Sequence, residues 1–332
     1  GREVYRCADY EAKGSEDAYQ QALFKNDPPA KMSILKVHFP GKKDYIFDSI
    51  SFMIPSLIFT LVLLVTFIFT IYIVFRQKKL TEMKNDFINL TEENVSDEHL
   101  CCIIRSRKSH PGITAKREWL SDRLKEGHVF RKLNVKGTVF IEYAPLETAW
   151  VPVEGNQYYY IYCLWAVGEY KGKGYGKQLL EYCIADAKAN KKSGICVLGA
   201  RKQKAWLTDQ AFIQSYGFQV ADTTESGYQL LALSFDGTLP RFCTSAKQEH
   251  ICNQELTVFY DMQCPYVLKN VDIIRQYCEM HDIPVTFHLI DTLEKAKNVP
   301  CVFNNWAVFY KGRFQTVNLL LDINSLARIL KK

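Results

Sequence analysis

The stretch "YKGKGYGKQLLEY", Tyr170 to Tyr182, holds Gly172, Gly174 and Gly176 among Lys171, Lys173 and Lys177, just where a helical pattern begins. Glycines permit positive φ and close backbone approach, and a helix N-terminus offers unpaired amides to an anion. The run therefore suits a phosphate cradled by the amides of Gly172 to Lys177, with Lys171, Lys173 and Lys177 adding charge. It suits equally a solvated lysine-rich loop, because a glycine run alone is a weak signal. Glu154 in "VPVEGN", just before a long strand, is the carboxylate best placed to act as a base, or else a solvated turn residue. Cys264 in "QCPY" stands at a helix start, which can lower a thiol pKa, or it is a packed thiol. No CxxC occurs and no Cys/His spacing reads as a zinc site, so no metal is expected.

The elements around these residues follow from their patterning. "FINLT", "HVFRKL", "GTVFIEYAP", "YYYIYCLWAVG", "GICVLGA", "FQVAD" and "YQLLALSF" read as strands. Helices are expected over Asp97–Arg107, over "TAKREWLSDRLKEG" with a Thr cap, from about Tyr175 to Asn190, and over "WLTDQAFIQSYGF". "NVKG" reads as a hairpin turn. The glycine run thus joins a strand to a helix in an α/β (α+β) domain over residues 87–236, with a polar linker over 237–255. Residues 256–332 read strand, helix, strand, short helix, hairpin and final helix.

Ahead of these lies Ser49–Phe75, a run without charge about 40 Å long as a helix, longer than the ~30 Å hydrocarbon core. It predicts one transmembrane helix at 49–75, with residues 1–48 outside. "RQKK" at Arg76–Lys79 places the C-terminal side of this helix in the cytoplasm by the positive-inside rule, so a single-pass inner-membrane protein is expected. A start at Gly1 rather than Met reads as a fragment or a processed product. The net charge of +6 is a mild excess that does not call for nucleic acid. Eleven cysteines in 332 residues are too sparse for a disulfide framework and read as reduced thiols.

Four resemblances sharpen this reading. "VGEYKGKGYGKQLL" resembles motif A of the GNAT acetyltransferase superfamily, Arg/Gln-x-x-Gly-x-Gly/Ala, with Lys171, Gly174 and Gly176 at the marked positions. The element order over about 87–236 resembles that family too. The resemblance implies a mixed sheet flanked by helices, and acetyl-CoA as co-substrate. It puts the pyrophosphate on the loop around Tyr175, and the pantetheine arm along Leu164, Trp165, Ala166 and Val167. It also implies transfer to a small-molecule or peptide amine. Relatives often carry an acidic Tyr four residues before the terminal Gly-Phe. Ile213 stands there, and Tyr216, next to Gly217, points elsewhere on the helix, so the acid is Tyr216 or water; His110, in the loop that shapes the acceptor pocket, is a further candidate or else a turn residue before Pro111.

Residues 256–332 resemble a thioredoxin-like domain with Val267 in place of the second cysteine and Val299–Pro300 where that fold keeps a cis-proline. The two domains together resemble the YoaP-like acetyltransferases. Phe75–Asn89 resembles the juxtamembrane helix of bacterial sensor histidine kinases, and about residues 1–89 their sensor and membrane part. Leu90, Thr91, Glu92 and Glu93 stand where a phosphoacceptor box would come next, so an anchor without kinase activity is expected, meeting the second family at a fusion or assembly joint near "DFINL". Two rival readings stay open: a non-catalytic acyl-CoA-binding sensor, and a thiol-based module.

Overall fold

The computed structural model describes residues 18–24, 33–38, 42–85, 87–98, 100, 110–135, 139–204, 206–319 and 322–331. Contacts divide the chain into two compact units, residues 1–82 and 83–332.

In the first unit, β1 (Ala18–Ala22) pairs antiparallel with β2 (Ile34–His38), and α1 (Lys42–Asn85) follows. Within α1, Met53–Phe75 is long and apolar enough to cross a membrane, and none of it is buried in the protein. Its serine and threonine hydroxyls are satisfied internally: Thr60 and Thr70 donate to carbonyls four residues back, Ser56 and Thr66 to carbonyls three back. A hydrocarbon surround offers no other acceptor, so this is the arrangement it demands.

The second unit opens with β3 (Phe87–Asn89) and α2 (Pro111–Leu124). α2 begins earlier than the expected Thr cap. His110 is the N-cap and Pro111 the first helical residue, while Thr114 lies inside the helix. The expected helix over Asp97–Arg107 falls mostly outside the described residues, and so does part of the "NVKG" turn. β4 (Val129–Leu133), β5 (Val139–Pro145), the short β6 (Val153–Glu154) and β7 (Tyr158–Ala166) lead to α3 (Tyr175–Ala189). β8 (Gly194–Ala200), α4 (Gln210–Gln214), β9 (Gln219–Thr223) and β10 (Tyr228–Ser234) complete a seven-stranded sheet of order β3-β4-β5-β7-β8-β10-β9. All its neighbours are antiparallel except β7 and β8. α4 is shorter than expected: Asp209 caps it by accepting from the Phe212 amide, and Trp206 to Thr208 lie outside it. One sheet face packs α3 and α4 through Leu179, Leu180, Cys183 and Ile213; the other packs α2 through Trp119 and Leu120.

Residues 237–255 are more than a polar connector. β11 (Arg241–Phe242) pairs with β6, and Phe242 and Ala246 are buried. Beyond them come β12 (Leu256–Tyr260), α5 (Tyr266–Met280), β13 (Val285–Leu289), α6 (Leu293–Lys297), β14 (Trp306–Tyr310), β15 (Arg313–Thr316) and α7 (Ile323–Leu330). Their sheet runs β13-β12-β14-β15, with β12 and β13 parallel. No peptide bond among the described residues is cis, so Val299–Pro300 is trans, against expectation.

The two sheets share one core. Val302, Phe303, Phe309 and Val317 sit in the same buried cluster as Tyr160, Tyr162 and Leu198. A buried polar network also crosses between them. The Glu142 carboxylate accepts from Lys116, from His128 Nε2 at 2.9 Å and from Gln263 Nε2 at 2.8 Å. Gln263 in turn accepts from Asn305 Nδ2 at 2.7 Å.

Candidate functional site

The parallel pair β7/β8 is the structural event around which the site is built. Its register runs from Tyr158↔Gly194 only as far as Ile161↔Val197. Beyond that, β7 stays paired with β5 and β8 with β10, so the two strands part inside the sheet. The β5–β7 register slips where Glu142 pairs with Cys163 and Tyr143 with Ile161, leaving Tyr162 as the extra residue of a bulge. A bulge bends its strand, which accounts for the parting at this point. Strand-edge groups left without a ladder need partners. The Tyr162 carbonyl takes one from Asn304 Nδ2 at 3.3 Å, and Ala200 is capped in both directions by the Gln210 amide.

A cavity of about 110 Å³ occupies the parting. Ile161 and Val197 of the α3 face line it together with Tyr162 and Leu198 of the opposite face, so it passes through the sheet. Cys163, Leu164 and Trp165 continue its β7 wall, and Cys264, Asn304 and Val317 come from the last 80 or so residues.

Just past β7, the glycine run forms the turn into α3. Gly172 and Gly174 have φ of +76° and +83°, and Gly174 is the left-handed N-cap of α3. A Cβ on either would meet nothing within 4 Å, so what requires glycine here is conformation and not space inside the protein. Gly176 lies in the first helical turn without positive φ, and a Cβ there would touch only Phe212 at 4.0 Å. The first intrahelical bond in the turn is Gln178 N–H to the Gly174 carbonyl, so the amides of Tyr175, Gly176 and Lys177 have no helical acceptor. The Lys173 amide is instead turned onto the Tyr170 carbonyl at 3.4 Å, which narrows the expected cradle. Lys171, Lys173 and Lys177 are exposed, and Lys177 lies 3.6 Å from Glu181.

The other expected residues do not all converge. Glu154 is exposed on β6, where its carboxylate accepts from Arg241 Nε at 2.6 Å, and it does not line the cavity. His110 caps α2, its Nδ1 accepting from the Gly112 amide at 3.2 Å. Gly112 packs so closely on the start of α5 that a Cβ would fall 1.9 Å from the Pro265 carbonyl. His110 is thus a capping group at the seam between the sheets, beside Pro265. Tyr216 packs against Phe212 on the α3 face, and burial raises its pKa; it too lies off the cavity. Ile213 is fully buried in the core. Cys264 lines the cavity, and Val267 is fully buried one turn along. Among the described residues no cluster of His, Cys, Asp or Glu could hold a metal ion.

Sequence reasoning missed the contribution of "FNNW". Asn304 accepts from the Tyr160 hydroxyl at 2.9 Å besides binding the Tyr162 carbonyl, and Asn305 joins the Gln263–Glu142 network. Trp206 was also missed: it lines the cavity, and its indole N–H is buried without an acceptor among the described residues. Asp261, next to this seam, is fully buried; burial pushes its carboxyl up to about 8, and one of its oxygens has no partner among the described residues. Burial pushes Glu142 up as well, but Lys116 and His128 outweigh it and leave its pKa below the usual range.

The chain matches the model of the Acetyltransferase (GNAT) family over residues 93–218 and that of the YoaP-like family over residues 284–328. It is 33% identical over 246 residues to the uncharacterized N-acetyltransferase YoaP of Bacillus subtilis (strain 168), covering 74% of this chain and 98% of that protein. It is 86% identical over 89 residues to the sensor protein RprX of Bacteroides fragilis (strain YCH46), which is 27% of this chain and 17% of the sensor. Among solved structures it is similar to a GNAT family acetyltransferase from Brucella melitensis in complex with acetyl-CoA, at 13% identity and a TM-score of 0.31, covering 47% of this chain and 92% of that one. A PaiA N-acetyltransferase from Thermoplasma acidophilum in complex with coenzyme A gives 16% identity and a TM-score of 0.32, covering 45% and 99%.

Proposed function

The chain belongs to the GNAT acetyltransferase family as a YoaP-like member, an acyltransferase that takes an acyl-CoA as co-substrate, and on that premise we propose that it moves the acetyl group of acetyl-CoA directly onto an amine inside the β7/β8 cleft. The observation that carries this is the parting of the two strands after Ile161 and Val197, with the glycine turn at the end of β7. In this reading the unpaired amides of Tyr175, Gly176 and Lys177, reached over Gly172 and Gly174, hold the pyrophosphate at the positive end of α3. The pantetheine amides take the place of the missing strand along Leu164–Val167. The thioester then lies in the cavity.

The amine attacks the thioester carbonyl, the oxyanion collapses, and CoA leaves as a thiolate that takes up a proton. Glu154 is absent from the cavity lining and paired with Arg241, which argues against it as the base. Among the lining side chains, Tyr162, Cys163, Thr208, Cys264 and Tyr266 carry a hydroxyl or thiol proton. The Tyr162 hydroxyl already accepts from the Trp150 amide at 2.6 Å, and burial drives its pKa well up. Burial makes Tyr162 a poorer acid and Thr208 is an alcohol, so Tyr266, Cys163 and Cys264 are the better candidates for the acid. The last sheet, residues 256–332, acts here as a degenerate thioredoxin-like wall, and α1 acts as the membrane anchor with residues 87–332 on the cytoplasmic side.

Calorimetry with acetyl-CoA, followed by a thiol-release assay over a panel of amines, tests the reading. Binding together with amine-dependent thiol release is expected. Binding without release for any amine would favour the acyl-CoA sensor instead.

A further inference from the structure

The lining of the cavity bears on the acceptor. None of its lining side chains among the described residues is Asp, Glu, Lys, Arg or His. Its walls are aliphatic and aromatic, with Trp165 and Trp206 on the central-sheet side and Tyr266 and Val317 on the other. Polar groups are few, and the strongest are spent on the protein: Asn304 bridges the Tyr160 hydroxyl and the Tyr162 carbonyl, and Asn305 is held in the Glu142 network. At about 110 Å³ the space is small against ordinary ligand sites of ~300–1,000 Å³. It must also admit the thioester end of the co-substrate.

Building on the acetyl-transfer reading, we infer that the C-terminal sheet closes the acceptor side of the cleft and selects a compact primary amine with an apolar or aromatic body and no second charge. A carboxylate or a second ammonium carried into these walls would be desolvated with no counter-ion, a heavy penalty. That excludes free amino acids and polyamines. The same desolvation helps the chemistry. It disfavours the ammonium form of the entering amine, so the nucleophile reaches the thioester as the free base without a dedicated carboxylate. The proton is shed to solvent as the amine enters. The C–N bond then forms, the C–S bond breaks, and the proton lost by the attacking nitrogen goes to the departing thiolate. The aromatic rings give an arriving ammonium a transient stop on the way in.

The test is steady-state thiol release by the whole chain with acetyl-CoA and five acceptors: 2-phenylethylamine, 4-phenylbutylamine, spermidine, L-lysine and the peptide Ala-Gly-Ala. Acetyl-CoA affinity is measured alongside by calorimetry. The expected result is a kcat/KM for 2-phenylethylamine at least roughly tenfold above those of spermidine, L-lysine and the peptide. Val317→Ala, which widens the C-terminal wall, should shift the ratio of 4-phenylbutylamine to 2-phenylethylamine by about tenfold in favour of the longer amine. Its acetyl-CoA Kd should stay within about twofold. Preference for spermidine, L-lysine or the peptide, or a Val317→Ala ratio unchanged in a folded variant, would overturn the inference and leave the acetyltransferase reading standing. Absence of acetyl-CoA binding would overturn the reading itself. If Val317→Ala does not fold, the wild-type panel alone decides.

Discussion

Gly174→Val is the sharpest single perturbation of the co-substrate loop. Gly174 sits at φ +83° as the N-cap of α3, with open space where a Cβ would be. The substitution meets no steric block in the protein. It costs backbone strain of about 1–2 kcal/mol for an L-residue in the left-handed region. The turn either keeps its shape and projects a branched side chain beside the unpaired amides, or flips and withdraws them. Either way acetyl-CoA loses about two contacts between amide and phosphate, each worth roughly 1.5–3 kcal/mol. The sum, about 3–6 kcal/mol, is at least two orders of magnitude in Kd. Gly176→Ala is the internal contrast. Its φ is ordinary and its nearest neighbour is Phe212 at 4.0 Å. It should bind within about threefold of wild type and gain up to about 1 kcal/mol of stability from helix propensity. Calorimetry with acetyl-CoA reads both, with circular dichroism as the folding control. If folded Gly174→Val binds like wild type, the glycine turn is not the pyrophosphate site and the reasoning fails.

Lys116→Ala should destabilise the protein by about 3–5 kcal/mol in a denaturant melt, because Glu142 would stay buried without its cation. A loss under about 1 kcal/mol would mean the network is not closed in solution. Asp261 gives a pH signature. Its folded pKa, near 8, lies above the unfolded ~3.9, so its stabilising contribution is full below pH ~4 and is lost as pH rises toward 8, by up to about 1.4 kcal/mol per unit. Asp261→Asn should flatten that decline, and parallel pH–stability curves for the two proteins would contradict it. Cys264 with Val267 at the second motif position should support no insulin reduction, and robust turnover would show the C-terminal sheet to be a working oxidoreductase. Protease added to intact cells should trim only the first fifty or so residues, and digestion of residues beyond 87 from outside would reverse the assigned orientation.

How much of this was readable in the chain depends on how local the signal was. The membrane-length run, the strand before the glycines and the helix after them are short-range patterns, and β7, α3 and Met53–Phe75 fall where those patterns put them. Glu154 looked well placed because it precedes β7 in sequence, but it lies on β6, which pairs with β11 some 87 residues later, and its carboxylate is held by Arg241 and does not line the cavity. Asn304 could not be read at all. Its meaning comes from Tyr160 and Tyr162, more than 140 residues earlier, and no spacing rule links a hairpin's entry to the bulge of a distant strand. The bulge itself was hidden in an unbroken aromatic run, because only pairing with β5 reveals the extra residue.

The most direct measurement tracks a labelled acetyl group. Protein and acetyl-CoA labelled with ¹³C in the acetyl carbonyl are incubated with a broad panel of amines that includes all five acceptors above, and mass spectrometry locates the label. The account predicts the label in an amide of an amine, in step with free CoA thiol, and absent from the protein. Label retained in acetyl-CoA, or found on Cys264 with no amide formed, would contradict it.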